Sequence, residues 1–215
     1  MSLVELIARA DERGLAASGL ACLDRCMPLL GGDDEVLRPL WAGLAEDPGE
    51  TAARDRWAEG LEQARGALGT AGPDTAAPRD PGAAAARAED EAALLARRML
   101  AAAPAARSAD EMRRWADACS VASLRIHRLL DPAEDAAPAG TGPRALDAVR
   151  ARDLPAAARA PRVSPLVAAE LRRQITVLEL LTGHGPAGLR QAREVCTEGR
   201  RVLRAVVSRR ARGRV

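Results

Sequence analysis

The chain has 215 residues, of which 47% are hydrophobic and 29% charged, with a formal net charge of +2. That apolar content excludes a wholly disordered chain, and the length suits one globular domain or two small ones. No uncharged run exceeds about ten residues, whereas a membrane-spanning helix needs roughly 20. Met1-Ser2-Leu3-Val4-Glu5 lacks the basic and apolar segments of a secretory signal, so the expectation is a soluble, cytoplasmic protein with no transmembrane segment.

Phe, Tyr, Lys and Asn are absent, so all 32 basic residues are Arg. The missing types share AT-rich codons, and a GC-rich genome explains them without invoking a role for arginine itself. Ala occurs 49 times; it is the best helix former, while the β-branched and aromatic residues that favour strands are scarce. The composition predicts an all-α fold. With only Trp41, Trp57 and Trp115 as aromatic residues, a stacking platform for single-stranded nucleic acid or a ring-lined ligand cavity is disfavoured.

Ser2 and Glu5 have capping-box spacing, and Leu3, Leu6, Ile7 and Ala10 follow at helical intervals, predicting a first helix that stops near Gly14. Leu20, Leu23 and Met27 mark a second helix, halted by Pro28 and Gly31-Gly32. Asp33 or Asp34 is then placed to cap a third segment with Leu37, Leu40, Trp41 and Leu44, with Pro39 near its first turn. Asp47-Pro48-Gly49 reads as a turn, and Trp57, Leu61, Ala64 and Leu68 align on a helix over 50–68. Residues 1–68 thus read as an acidic helical cluster. Residues 69–82 hold three prolines and three glycines and no large apolar side chain, which reads as a linker.

Residues 83–215 read as a second helical bundle. Leu94, Leu95, Met99 and Leu100 give a helix ended by Pro104, and Ser108-Ala109-Asp110-Glu111 is a capping box ahead of Met112, Trp115, Ala116, Cys119, Ile126 and Leu130. A short helix follows around Leu146 and Val149. Ser164-Pro165 opens a helix through Leu181, Gly183-His184-Gly185-Pro186 reverses the chain, and a last helix runs from Leu189 to Val207. So short a connection favours an antiparallel hairpin. The predicted architecture is a multi-helix bundle of about six to eight helices closed by that hairpin.

Charge is unevenly distributed. Residues 1–68 hold seven Arg against thirteen acidic residues, and residues 151–215 hold fourteen Arg against five. The basic arm formed by Arg200, Arg201, Arg204, Arg209, Arg210, Arg212 and Arg214 is the candidate binding surface, for nucleic acid through counterion release, for an acidic protein or for an anionic membrane surface. Its bland alternative is an arm answered by the acidic N-terminal part and by the helix dipole. Arg190 and Arg193 would address a DNA groove if the hairpin were a helix-turn-helix, but its helices are long for that motif.

Cys22 and Cys26 lie four residues apart, a spacing able to serve a metal or a redox pair, yet other ligands are far off in sequence and no metal or cofactor is expected. Buried small thiols are the favoured reading, and Cys119 and Cys196 fall on apolar stripes. His127 reads as a helix-surface residue near a C-terminal end, and His184 as a turn residue. No catalytic set converges, which favours a non-enzymatic helical interaction or regulatory protein whose partner is a protein, with nucleic-acid binding or a thiol- or metal-dependent sensor as alternatives.

The stretch from Ser2-Leu3-Val4-Glu5-Leu6-Ile7 through Gly31-Gly32-Asp33-Asp34-Glu35-Val36-Leu37 to Trp41 resembles uncharacterised Ala/Arg-rich cytoplasmic proteins of Streptomyces-type actinomycetes. The resemblance implies an accessory role in carbon-metabolism regulation, because such reading frames lie near sugar-kinase genes. It carries over no functional residue.

Overall fold

The computed structural model describes residues 1–33, 35–46, 51–69, 83–131, 143–152 and 163–212. Their regular elements are α1 (Leu3–Arg9), α2 (Glu12–Arg25), α3 (Arg38–Gly43), α4 (Thr51–Gly69), α5 (Ala83–Ala101), α6 (Ala109–Leu130), α7 (Pro143–Arg150), α8 (Pro165–His184) and α9 (Gly188–Arg212). Single 3-10 turns lie at Met27–Leu29 and Gly185–Ala187, and no strand occurs among the described residues. The fold is an all-α multi-helix bundle.

Local side-chain signals set several helix starts. Ser2 and Glu5 form the reciprocal capping box of α1. At α6 the Ser108 hydroxyl accepts from the Glu111 N–H and donates to the Glu111 carboxylate at 2.7 Å, so half of the expected box is replaced by a side-chain bond. Ser164 caps α8 with Pro165 at its first position, where a missing N–H costs nothing.

Two boundaries differ from expectation. The first helix ends at Arg9, and Gly14 lies inside α2, because Asp11 caps a new helix by accepting from the Gly14 N–H at 2.7 Å. Asp33 accepts from the Glu35 N–H, which makes a turn, and α3 starts only at Arg38. Pro39 then occupies the first helical turn, where it disrupts no helical hydrogen bond. Asp34 lies outside the described residues, as do 70–82 of the expected linker.

α2 is the centre of the bundle. Every residue from Gly14 to Arg25 is buried, as befits a helix enclosed on all sides. It packs on α6, α8 and α9, and α4 packs on α3 and α5, so residues from both 1–68 and 83–215 contribute to one hydrophobic core. A Cβ at Gly19 would sit 2.6 Å from the Trp115 ring, so the absent side chain is what lets α6 approach. Each Trp N–H finds an acceptor: Trp41 on Asp24, Trp57 on the Pro104 carbonyl and Trp115 on the Met99 carbonyl. Buried indoles need such partners. The α8–α9 pair is the antiparallel hairpin expected: Leu180 lies beside Gly188 and Arg173 beside Gly199.

Candidate functional site

The polar groups that meet in the interior come from three helices whose faces are otherwise apolar. α6 aims Ser120, Ser123 and His127 inward at helical spacing, α8 answers with Glu170 and Gln174 one turn apart, and α2 delivers Arg25 from its last turn. Arg25 and Glu170 have no exposed side-chain surface. The Arg25 Nε and Nη2 donate to the two Glu170 oxygens at 2.8 and 2.6 Å, a bidentate pair of the strong, directional kind.

The carboxylate takes further donors. Ser123 Oγ and Gln174 Nε2 each donate to Glu170 Oε1 at 2.8 Å, and Ser120 Oγ donates to Gln174 Oε1 at 2.7 Å. Arg150 of α7 extends the chain outward through a 3.1 Å bond from its Nε to Ser120 Oγ and an ion pair with Asp117. At the other side Gly199 of α9 lies over Arg25. A Cβ there would fall 2.3 Å from Arg25 Cδ, so glycine is what lets α9 close on the arginine.

These contacts set the ionisation. Burial opposes the Glu170 charge, but Arg25 beside it, with His127 and the bonds from Arg25 and Gln174, holds the carboxyl down at about 2. Burial likewise works against the charge on Arg25, and Glu170 outweighs it. Burial lowers His127 below its ordinary value, against an opposing pull from Glu170. The His127 Nδ1 lies 2.8 Å from the Ser123 carbonyl, which can only accept, so Nδ1 carries the hydrogen. Nε2 of the neutral ring is then bare, makes no hydrogen bond, and faces Glu170 Oε2 at 3.6 Å.

Sequence proximity hides how the thiols gather here. Cys22 Sγ and Cys196 Sγ flank the Arg25 guanidinium at 3.5 and 3.7 Å, and Cys26 Sγ lies 3.9 Å from Ser123 Oγ. All four cysteines are buried and free. Burial pushes Cys22 and Cys196 up to about 12, only partly offset by Arg25, and raises Cys26 and Cys119 as well. Thiols in that state are protonated at neutral pH, and the thiolate is both nucleophile and metal ligand. Among the described residues, no group of three or more His, Cys, Asp or Glu is arranged to hold a metal ion.

A histidine, a carboxylate and a serine in one cluster are the parts of a nucleophilic triad, but they are wired differently. Ser123 donates to Glu170, not to His127, so the imidazole is not placed to take its proton, and the carboxylate, held at about 2, is a weak base. The arrangement can hold charge in the interior and fix how α2, α6 and α8 meet. It has no hydroxyl poised for attack.

No protein-family model, curated protein or solved structure matches the chain.

The basic arm is divided by the fold. Arg200 pairs with Asp24, and Arg210 is buried between Glu89 and the Leu130 carbonyl, the former being the acidic N-terminal answer weighed as the bland alternative. Arg201, Arg204, Arg209 and Arg212 are exposed, and Arg214 lies outside the described residues. Arg190 and Arg193 are exposed as well. Arg190, Arg201 and Arg212 recur every eleven residues, about three turns, and Arg193 and Arg204 repeat that interval beside them, so five arginines share one side of α9. Among the described residues no helix is long and apolar enough to cross a membrane.

His127 corrects the sequence reading. It has no exposed surface, because α8 covers the last turns of α6 on that side. His184 stands exposed at the end of α8, with Gly185 beside it taking the positive φ of 52° that the turn requires. Arg25, Glu170, Gln174, Ser120 and Ser123 were not singled out by motif. Their signal was polar residues repeating in phase with the apolar stripes of two helices.

Proposed function

We propose that this chain is a non-enzymatic helical protein of the cytoplasm with a regulatory role, acting by binding an acidic protein partner through the arginine-bearing side of α9. One observation carries the reading: the groups able to do chemistry are enclosed and occupied with one another, while the charge offered to solvent is gathered on one helix side as Arg190, Arg193, Arg201, Arg204 and Arg212. Arginine is well suited to recognising carboxylates.

A photo-crosslinking residue placed at Ser208, which is exposed between these arginines, is expected to capture a defined protein in the native cell. Replacing Arg193, Arg201 and Arg204 by Glu should abolish the adduct. An adduct indifferent to charge reversal would remove the reading. The same arginines favour nucleic acid as a second reading; duplex DNA binding would then weaken steeply with salt, and salt-independent retention would dismiss it.

A further inference from the structure

On the outer side of the α8–α9 hairpin an open groove of about 530 Å³ runs between the two helices. Its lining includes half-buried Ala169, Leu180 and Val195 and exposed Thr176, small or apolar side chains that leave room for larger ones. The two walls carry opposite charge: Arg172 and Arg173 on α8, Glu194 and Glu198 on α9. Across the groove Arg173 feels the charge of Glu198 and, more strongly, that of the buried Glu170, but forms a close ion pair with neither among the described residues. Glu194 pairs along its own helix with Arg190 at 3.4 Å, in an exposed contact, and such contacts are worth little. Among the described residues Arg172, Arg173 and Glu198 have no ion pair, and the Nη1 of Arg173 is buried without a hydrogen-bond partner.

We infer that this groove is the self-association face of the protein, occupied by the same hairpin of a second copy. The charge pattern selects the symmetry. Rotation by half a turn about an axis parallel to the hairpin sets α8 of each copy over α9 of the other without shifting either along its length. Arg173 already stands level with the Glu198–Gly199 turn of its own neighbour helix, so the rotation brings each basic wall over the other copy's acidic wall. A two-fold axis perpendicular to the helices would stack α8 on α8 and oppose like charges. The favoured assembly is a four-helix bundle of two hairpins, with an isologous interface in which each contact occurs twice. This inference does not rest on the partner reading above, although Glu194 borders the arginine-bearing side of α9 and pairs there with Arg190.

The test is the oligomeric state of the full chain by sedimentation velocity, from about 1 µM to about 1 mM, a span that covers the affinities expected of a modest interface. The wild type is expected to pass from monomer to dimer. Two variants each leave both walls with one sign: R172E with R173Q, and E194R with E198R. Each alone should weaken dimerisation by about 100-fold, as juxtaposed like charges do. An equimolar mixture of the two should form a heterodimer, and the chain carrying all four substitutions should recover the homodimer. Unchanged far-UV circular dichroism and melting temperature establish that each variant is folded; if R173Q unfolds the chain, R172E alone serves in its place. A wild type that stays monomeric throughout would overturn the inference, as would a dimer indifferent to both variants.

Discussion

Arg25 in α2 and Arg201 in α9 carry the same charge on helices that pack together, yet one has no contact with water and the other is exposed. The interior arginine is held by a bidentate carboxylate that in turn takes bonds from Ser123 and Gln174, so charge, burial and hydrogen bonding are all answered at once. Among the described residues the surface arginine makes no ion pair or side-chain hydrogen bond. The difference teaches that the many arginines of this chain, a single residue type imposed by composition, fall into two physical classes that only packing separates.

The sharpest way to break this comparison is to remove one partner of the interior pair. Glu170→Leu or Arg25→Met leaves a buried charge uncompensated, with an expected loss of roughly 3–5 kcal/mol, a large share of the total stability of a domain this size, about 5–15 kcal/mol. The double variant should regain most of it, because two apolar side chains no longer ask for solvation. Urea unfolding of the four proteins reads the cycle; a double-variant loss equal to the sum of the two single losses would show the pair to be uncoupled.

Acid should act on the same group. Glu170 is held at about 2 in the folded chain against an ordinary 4.5, so the unfolded chain binds the extra proton first. The stabilisation is fully present above pH 4.5 and lost as pH falls from there through about 2, a total of about 3 kcal/mol. His127, lowered from 6.5, adds an earlier decline that begins as pH falls below 6.5, since the ring must be charged in the unfolded chain before the folded one accepts a proton. Unfolding midpoints measured across pH should therefore fall in two stages, and His127→Gln should remove the first and shrink the second, since His127 helps to hold Glu170 down.

Closer to the seam between the two classes, Gly199→Ala pushes a methyl group into the Arg25 side chain and should cost about 1–3 kcal/mol, the range for overpacking. Thermal unfolding checks it. The smallest effect is expected on the far side of the comparison. Arg201→Ala and Arg193→Ala should change stability by no more than about 0.5 kcal/mol while weakening partner binding. A larger loss of stability would place these arginines in the first class.

Much of the architecture was legible in order along the chain. Ser2-Glu5, Ser108-Glu111 and Ser164-Pro165 name helix starts because the bonds they make lie within four residues, and the antiparallel hairpin follows from two stripes joined by a short turn. The interior network was legible only in part. Ser120, Ser123 and His127 share the phase of the buried stripe of α6, and Glu170 and Gln174 that of α8. The phase indicates that they are buried, not that they meet. His127 illustrates the cost of reading a helix alone: beside Arg125 and Arg128 it looks like a surface residue, and only the helix packed over it makes it interior.

Sequence by itself determined that this protein is helical, where several of its helices begin, and that its charge is lopsided, because each of these depends on residues near one another along the chain. Tertiary structure alone decided that α2 lies at the centre, that Arg200 and Arg210 turn inward while Arg201 and Arg212 face water, and that Cys22 and Cys196, far apart in the chain, flank one buried guanidinium. The pairing of Arg25 with Glu170 spans 145 residues. Periodicity records which side of a helix avoids water, and it holds no information about which other helix will supply the counter-charge.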